Sequence, residues 1–225
     1  NILVGDSITG SATGANGHVQ QIVDGTNGAT ILRVDTFKNF TSSVHNYFKE
    51  SENINTNTHW ALSRSNTPTD NHVTAPDGTL TAENLIESTE SGGGNGHYAG
   101  VKNSAITHTS NQTWNFSCYA KAISAGSKRW LGFRGLGNGG TNKYPVFDVA
   151  EGVIADPGDG TVWHNIKMEP VGNGWYRCSG STQPSNTTTG FRFNLINVGN
   201  NDSVSAYDYT GDGVSGLAIW GCQQT

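Results

Sequence analysis

The chain has 225 residues, of which Gly, Asn and Thr together supply about 35% and charged residues only 14%. Gly, Asn and Thr are poor helix formers, and Thr and the aromatics favour strands, so a helical bundle is excluded. A hydrophobic share of 34%, with 21 aromatic residues, argues against disorder. A net charge of −5 without any basic stripe argues against nucleic acid as a partner, and no apolar run reaches the roughly 18 residues of a membrane-spanning helix.

The chain opens at Asn1, without a methionine or a leader, and reads as a processed product or a piece of something longer. Val4-Gly5-Asp6-Ser7 resembles the nucleophile block of the SGNH (GDSL-type) esterases. That family also needs a late D-x-x-H, which the chain lacks, and a serine without its base and oxyanion donors is a poor nucleophile. Residues 1–50 carry two alternating runs, Ile2–Val4 and Ala29–Val34, between Gly/Asn/Thr-rich turns. So little apolar bulk cannot easily close a core alone, so this β-rich segment is expected to need a partner, either the second domain or copies of itself in an oligomer. Residues 51–58 (SENINTNT) are polar and read as a linker.

From Trp60 onward, short alternating segments recur between explicit turns such as Pro76-Asp77-Gly78, Gly172-Asn173-Gly174 and Gly211-Asp212-Gly213. Strands are predicted near 59–64, 80–87, 96–102, 113–121, 128–135, 144–149, 161–169, 174–182, 189–198 and 215–222. The expected fold of 59–225 is all-β: an antiparallel β-sandwich of the jelly-roll kind.

Strand alternation assigns faces. Trp114, Phe116, Cys118 and Ala120 are predicted core, as are Val162, His164, Ile166 and Met168, and Phe191, Phe193 and Leu195. The opposite parity holds Trp130 and Arg134, Trp163 and Asn165, and Arg192 and Asn194. Flat rings beside planar polar groups suit a saccharide, whose C–H faces pack on aromatics while amides and guanidinium groups fix its hydroxyls. These six are the candidate carbohydrate-binding residues. The competing reading makes the tryptophans core and the arginine stems its rim.

Asp202, Asp208 and Asp212 in the Gly/Asn-rich stretch 199–213 are candidate ligands of a structural calcium, although no EF-hand spacing is present. Asp148 and Glu151 have the D-x-x-E spacing of some sandwich glycosidases, but Val146 stands where a further carboxylate is needed, leaving the acid/nucleophile pair incomplete. Cys118, Cys178 and Cys222 sit among apolar strand residues with no C-x-x-C, and read as buried thiols.

Several motifs in order resemble a domain common in bacteriophage tail fibres and related virion proteins. They are Ala75-Pro76-Asp77-Gly78-Thr79, Gly96-His97-Tyr98, Phe116–Ala122, Gly174-Trp175-Tyr176-Arg177-Cys178, Gly211-Asp212-Gly213-Val214-Ser215-Gly216 and Ile219-Trp220-Gly221-Cys222-Gln223. The resemblance spans about 58–225 and implies a carbohydrate-binding-like jelly roll in a homotrimeric, extracellular-facing fibre. It implies a host polysaccharide or lipopolysaccharide and other virion proteins as partners, and no catalysis. Its motifs look like turns and core strands and bring no site residues with them. The alternatives are a carbohydrate-binding module from a secreted polysaccharide-degrading enzyme, and a ligand-free structural or capsid-decoration module.

Overall fold

The protein is described from a computed structural model, which covers residues 7–9, 16–24, 30–36, 46–55, 59–91, 93, 96–101, 112–135, 144–183, 190–199 and 206–225; for 7–36 and 67–72 only the backbone is described. The chain divides into two compact units, Asn1–His45 and Asn46–Thr225. In the first, β1 (Ser7–Thr9), β2 (Asn16–Asp24) and β3 (Thr30–Thr36) form a three-stranded antiparallel sheet in the order β1-β2-β3. The run at 2–4 lies outside the described residues, as do Gly5 and Asp6 of the esterase-like block.

The second unit holds β4 (Trp60–Ser63), β5 (Ser65–Val73), β6 (Ala82–Glu87), β7 (His97–Val101), β8 (Trp114–Ala122), β9 (Trp130–Gly135), β10 (Val146–Asp148), β11 (Val153–Asp156), β12 (Trp163–Gly172), β13 (Trp175–Thr182), β14 (Phe191–Ile196) and β15 (Gly216–Gln224). They form two six-stranded antiparallel sheets, ordered β11-β10-β9-β14-β7-β4 and β12-β13-β8-β15-β6-β5. The expected β-sandwich is therefore the observed one. Nesting β7-β14-β9-β10 in the first sheet against β6-β15-β8-β13 in the second is the jelly-roll arrangement. No α-helix occurs among the described residues.

Local chemistry explains the elements. At the β12–β13 hairpin, Gly172 pairs with Trp175 and the two loop residues, Asn173 and Gly174, have φ of 53° and 76°. That is the primed turn that Asn-Gly favours, because its twist matches the strands it joins. Pro170 sits within β12, an edge strand, where a missing N–H is tolerated. Besides β1 and β2 of the first unit, two strands of the sandwich escaped the sequence pattern, β5 (SNTPTDNHV) and β11 (VIAD); both are sheet edges, one polar and one short.

The core lies between the sheets and is aromatic at its centre. Phe116 and Phe191 stack with centroids 4.2 Å apart, and Phe133 meets Phe193 edge-on at 5.4 Å. Cys118 and Cys178 are register partners across β8 and β13, and both are buried free thiols, as is Cys222.

The expected boundaries need adjustment. Residues 46–55, read as the end of the first segment and part of a linker, belong to the sandwich. Phe48 and Ile54 are core residues, and the segment is sewn to β15 where that strand bulges. Tyr47 N–H donates to the Gln224 carbonyl, Cys222 N–H to the Ser51 carbonyl, and the Asn46 amide to the Cys222 carbonyl. A polar sequence reads as a linker, yet its backbone here satisfies the donors and acceptors that the bulge frees. Residues 56–58 lie outside the described residues.

A second correction concerns β12. Its register shifts between His164 and Lys167, and Asn165 has φ of 54°. One extra residue inverts the inward–outward alternation across the bulge. Trp163 therefore faces the core, packed against Phe116, while Ile166 and Met168 line the core beyond the bulge and His164 is exposed.

Candidate functional site

In the first sheet, Phe191, Phe193 and Leu195 of β14, Leu131 and Phe133 of β9, and Ala99 and Val101 of β7 point into the core. Alternation sends Arg192 and Asn194, Trp130, Gly132 and Arg134, and Tyr98 and Gly100 to the opposite, outer face. The register places Arg192 between Gly100 on one side and Arg134 on the other. Gly100 explains how Tyr98 lies there: a Cβ at position 100 would stand 2.9 Å from the Tyr98 ring and 3.1 Å from Arg192 Cγ. With only hydrogen at 100, the Cδ2–Cε2 edge of the ring and the arginine stem can approach the backbone there. The Arg192 guanidinium carbon sits 4.2 Å from the Tyr98 ring centroid, and that of Arg134 sits 4.5 Å from the centroid of Tyr207. Tyr98, Arg134 and Arg192 are all half-buried.

Of the six candidate sugar-binding residues, four share this face: Trp130, Arg134, Arg192 and Asn194. They differ in access. Asn194 is fully buried. A Cβ at Gly96 would meet the Tyr207 carbonyl at 2.7 Å and Asn194 Nδ2 at 3.1 Å, so the chain around Tyr207 closes over this amide. Sequence alternation puts Asn194 on the outer side but cannot see that cover. Trp130 is half-buried at the other end of the face. Its indole N–H donates to Asp148 Oδ2 at 3.1 Å, and Lys128 Nζ stands 5.0 Å from its ring centroid.

The other two candidates lie on the second sheet. Trp163 is only 4% exposed, a core residue rather than a platform. Asn165 is exposed at the bulge, donating to Ser181 Oγ. Tyr98 and Tyr207 were missed. The signal for Tyr98 was its parity in His97–Val101; Tyr207 lies in a loop that carries no such signal.

Two of the acidic candidates, Asp148 and Asp212, are occupied. Asp148 Oδ1 accepts the N–H groups of Ala150 and Glu151, and Oδ2 accepts from Trp130 and from Lys128 at 2.7 Å. That hydrogen bond to Asp148 holds the Lys128 ammonium above its ordinary value. A carboxylate so engaged orients Trp130 and is not placed as a glycosidase acid or nucleophile. Asp212 closes its own turn. Its Oδ1 accepts from Val214 N–H and Ser215 N–H, and its Oδ2 from Ser215 O–H. Burial works against ionisation of Asp212, but these bonds outweigh it and hold the carboxyl well below the usual range. Asp208 is half-buried and Asp202 lies outside the described residues. Among the described residues, no group of three or more His, Cys, Asp or Glu side chains is placed to hold a metal.

The family-like motifs do other work. The 75–79 turn closes on Asp77, which accepts from Thr79 N–H and O–H. It covers a small apolar cluster on the outer side of the second sheet, made by Ala75, Ala82, Trp175 and Ala218. Trp175 donates to the Thr74 carbonyl and Trp220 to Thr81 Oγ1. These tryptophans are structural, as the sequence reading of the motifs as turns and strands implies.

No family model matches the sequence, and no curated protein matches it. Among solved structures, the chain is similar to the CBM22-1 xylan-binding domain of Paenibacillus barcinonensis Xyn10C. The identity is 10%, the TM-score 0.40, and the match covers 80% of this chain and 90% of that one.

Proposed function

We propose that residues 46–225 form a non-catalytic carbohydrate-binding domain whose ligand lies on the outer face of the first sheet, across Tyr98, Arg192 and Arg134. The observation that carries this reading is the close approach of the half-buried Tyr98 ring to Gly100, beside two half-buried guanidinium groups on adjacent strands. A half-buried aromatic ring presents area for pyranose C–H groups, and planar donors next to it fix hydroxyls. The test is a glycan array on the full chain, followed by calorimetric titration of the best oligosaccharide. Tyr98→Ala should weaken binding about tenfold or more, a loss of about 1.4 kcal/mol, with the melting temperature little changed. Undiminished binding by folded Tyr98→Ala and Arg192→Ala variants would remove this face from consideration.

The virion reading is a finer proposal, supported by the ordered motifs and by the separate three-stranded unit at 1–45. In this reading the domain is carried on a homotrimeric fibre, and weak single sites gain from avidity. Light scattering of the full chain separates it from an appended enzyme module: a trimer supports the fibre, a monomer the module.

A further inference from the structure

Arg134 and Arg192 are direct register partners across β9 and β14, with their side chains on the same face. Like charges set opposite each other on a sheet are destabilising unless something compensates them. Three other cations of the domain are compensated: Arg129 pairs with Glu87, Arg177 with Glu169, and Lys128 with Asp148. Among the described residues, neither Arg134 nor Arg192 has a carboxylate within the 4.0 Å of an ion pair. Each rests instead on a tyrosine ring, at 4.5 and 4.2 Å. Stacking of this kind holds a guanidinium in place without cancelling its charge. Arg134 Nη1 is buried with no hydrogen-bond partner among the described residues. Burial pushes the Arg192 guanidinium down from its ordinary value, and the Arg134 charge pushes the same way against Tyr98. All this stands in a chain of net charge −5, where acidic partners for two arginines are not scarce.

We propose that the Arg134–Arg192 pair receives the oxyanion of an acidic saccharide, either a uronate carboxylate or a sulfate or phosphate ester. The guanidinium fork meets such a group with two parallel N–H donors, and one anion between two forks removes the repulsion that the free protein carries. Tyr98, beside Arg192, takes the face of the sugar that bears the charge. This deepens the carbohydrate-binding proposal for the outer face and rests on it.

The experiment titrates the full chain with three oligosaccharides of matched length, neutral, uronate-bearing and sulfated, at low and high salt. The proteins are the parent chain, Tyr98→Ala, and the double variant Arg134→Gln/Arg192→Gln. An acidic oligosaccharide should bind at least about tenfold tighter than the neutral one, as charge-assisted hydrogen bonds do, and more so at low salt. The double variant should lose that preference while its melting temperature holds or rises, because two like charges are gone. Preference for the uronate assigns a carboxylate; preference for the sulfated sugar assigns an ester oxyanion. Equal binding of neutral and acidic sugars, lost in Tyr98→Ala, overturns the proposal and leaves the carbohydrate site standing. No saccharide bound at all overturns the carbohydrate site and the proposal with it. A double variant that melts lower yet keeps its acidic preference assigns the arginines to structure and also overturns it.

Discussion

Glu87 takes two hydrogen bonds from Arg129, Nε to Oε2 and Nη2 to Oε1, each 2.6 Å long, and both side chains are buried. The same carboxylate also accepts from Tyr209 O–H at 2.7 Å and Asp212 N–H at 2.8 Å. All its acceptor capacity is used, and it ties β6 to the chain before β9 and to the loop before β15. Arg129→Met would strand a buried carboxylate, and the loss of one partner of such a pair costs about 3–5 kcal/mol. Urea unfolding of this variant should show a loss in that range. A loss under about 1 kcal/mol would mean that water reaches Glu87 as soon as the arginine is gone.

His59 links stability to pH. It is buried, and its Nε2 accepts the Lys49 N–H at 3.2 Å, which only a neutral ring can do. Burial lowers its proton affinity below the ordinary 6.5; the Glu50 charge opposes this and Lys49 adds to it. In the window between the lowered folded value and 6.5, the unfolded chain binds more protons than the folded one. The His59 contribution is thus complete above the unfolded value and is lost as pH falls through the folded one. His59→Gln should melt close to parallel with the parent at about pH 8, and the gap between them should narrow toward about pH 5.5. A constant gap would refute the linkage.

The bulge at Asn165 makes a local prediction. Its φ of 54° lies in the left-handed region, which a β-branched side chain enters at a cost of about 1–2 kcal/mol. Asn165→Val should be destabilised by that much, whereas Asn165→Gly should melt within a degree or two of the parent, losing only the bond to Ser181. Equal melting of the Val variant would show that the bulge had moved.

The three thiols should be silent in the folded protein. Cys118, Cys178 and Cys222 are buried, and burial pushes all three thiols up, far from the thiolate that reacts. Ellman's reagent should therefore titrate none of them in the native chain and all three in denaturant. Release of a fast native equivalent would show that one strand opens readily.

Strand identity was largely legible in the sequence because it is a local property. Trp114–Ala122 alternates cleanly and is a strand; Gly172-Asn173-Gly174 carries turn chemistry and is a hairpin. Edge strands β5 and β11 were not legible, since an edge pairs on one side only and needs no apolar stripe. Trp163 was placed on the wrong face because a bulge is set by pairing with β13, and a single added residue reverses every later side chain. Asn194 was placed on the outer side, but its cover comes from the loop at Tyr207, which carries no alternation signal.

By itself, the sequence determined an all-β chain, its turns and most of its inward-facing residues, because backbone preference and alternation act over a few neighbours. The tertiary structure alone decided that Arg134 and Arg192 stand side by side, that the Tyr98 ring packs against Arg192, and that the Asp148 and Asp212 carboxylates are spent on their own turns. Those relationships depend on which distant strands pair and in what register, and that follows from how the whole core closes.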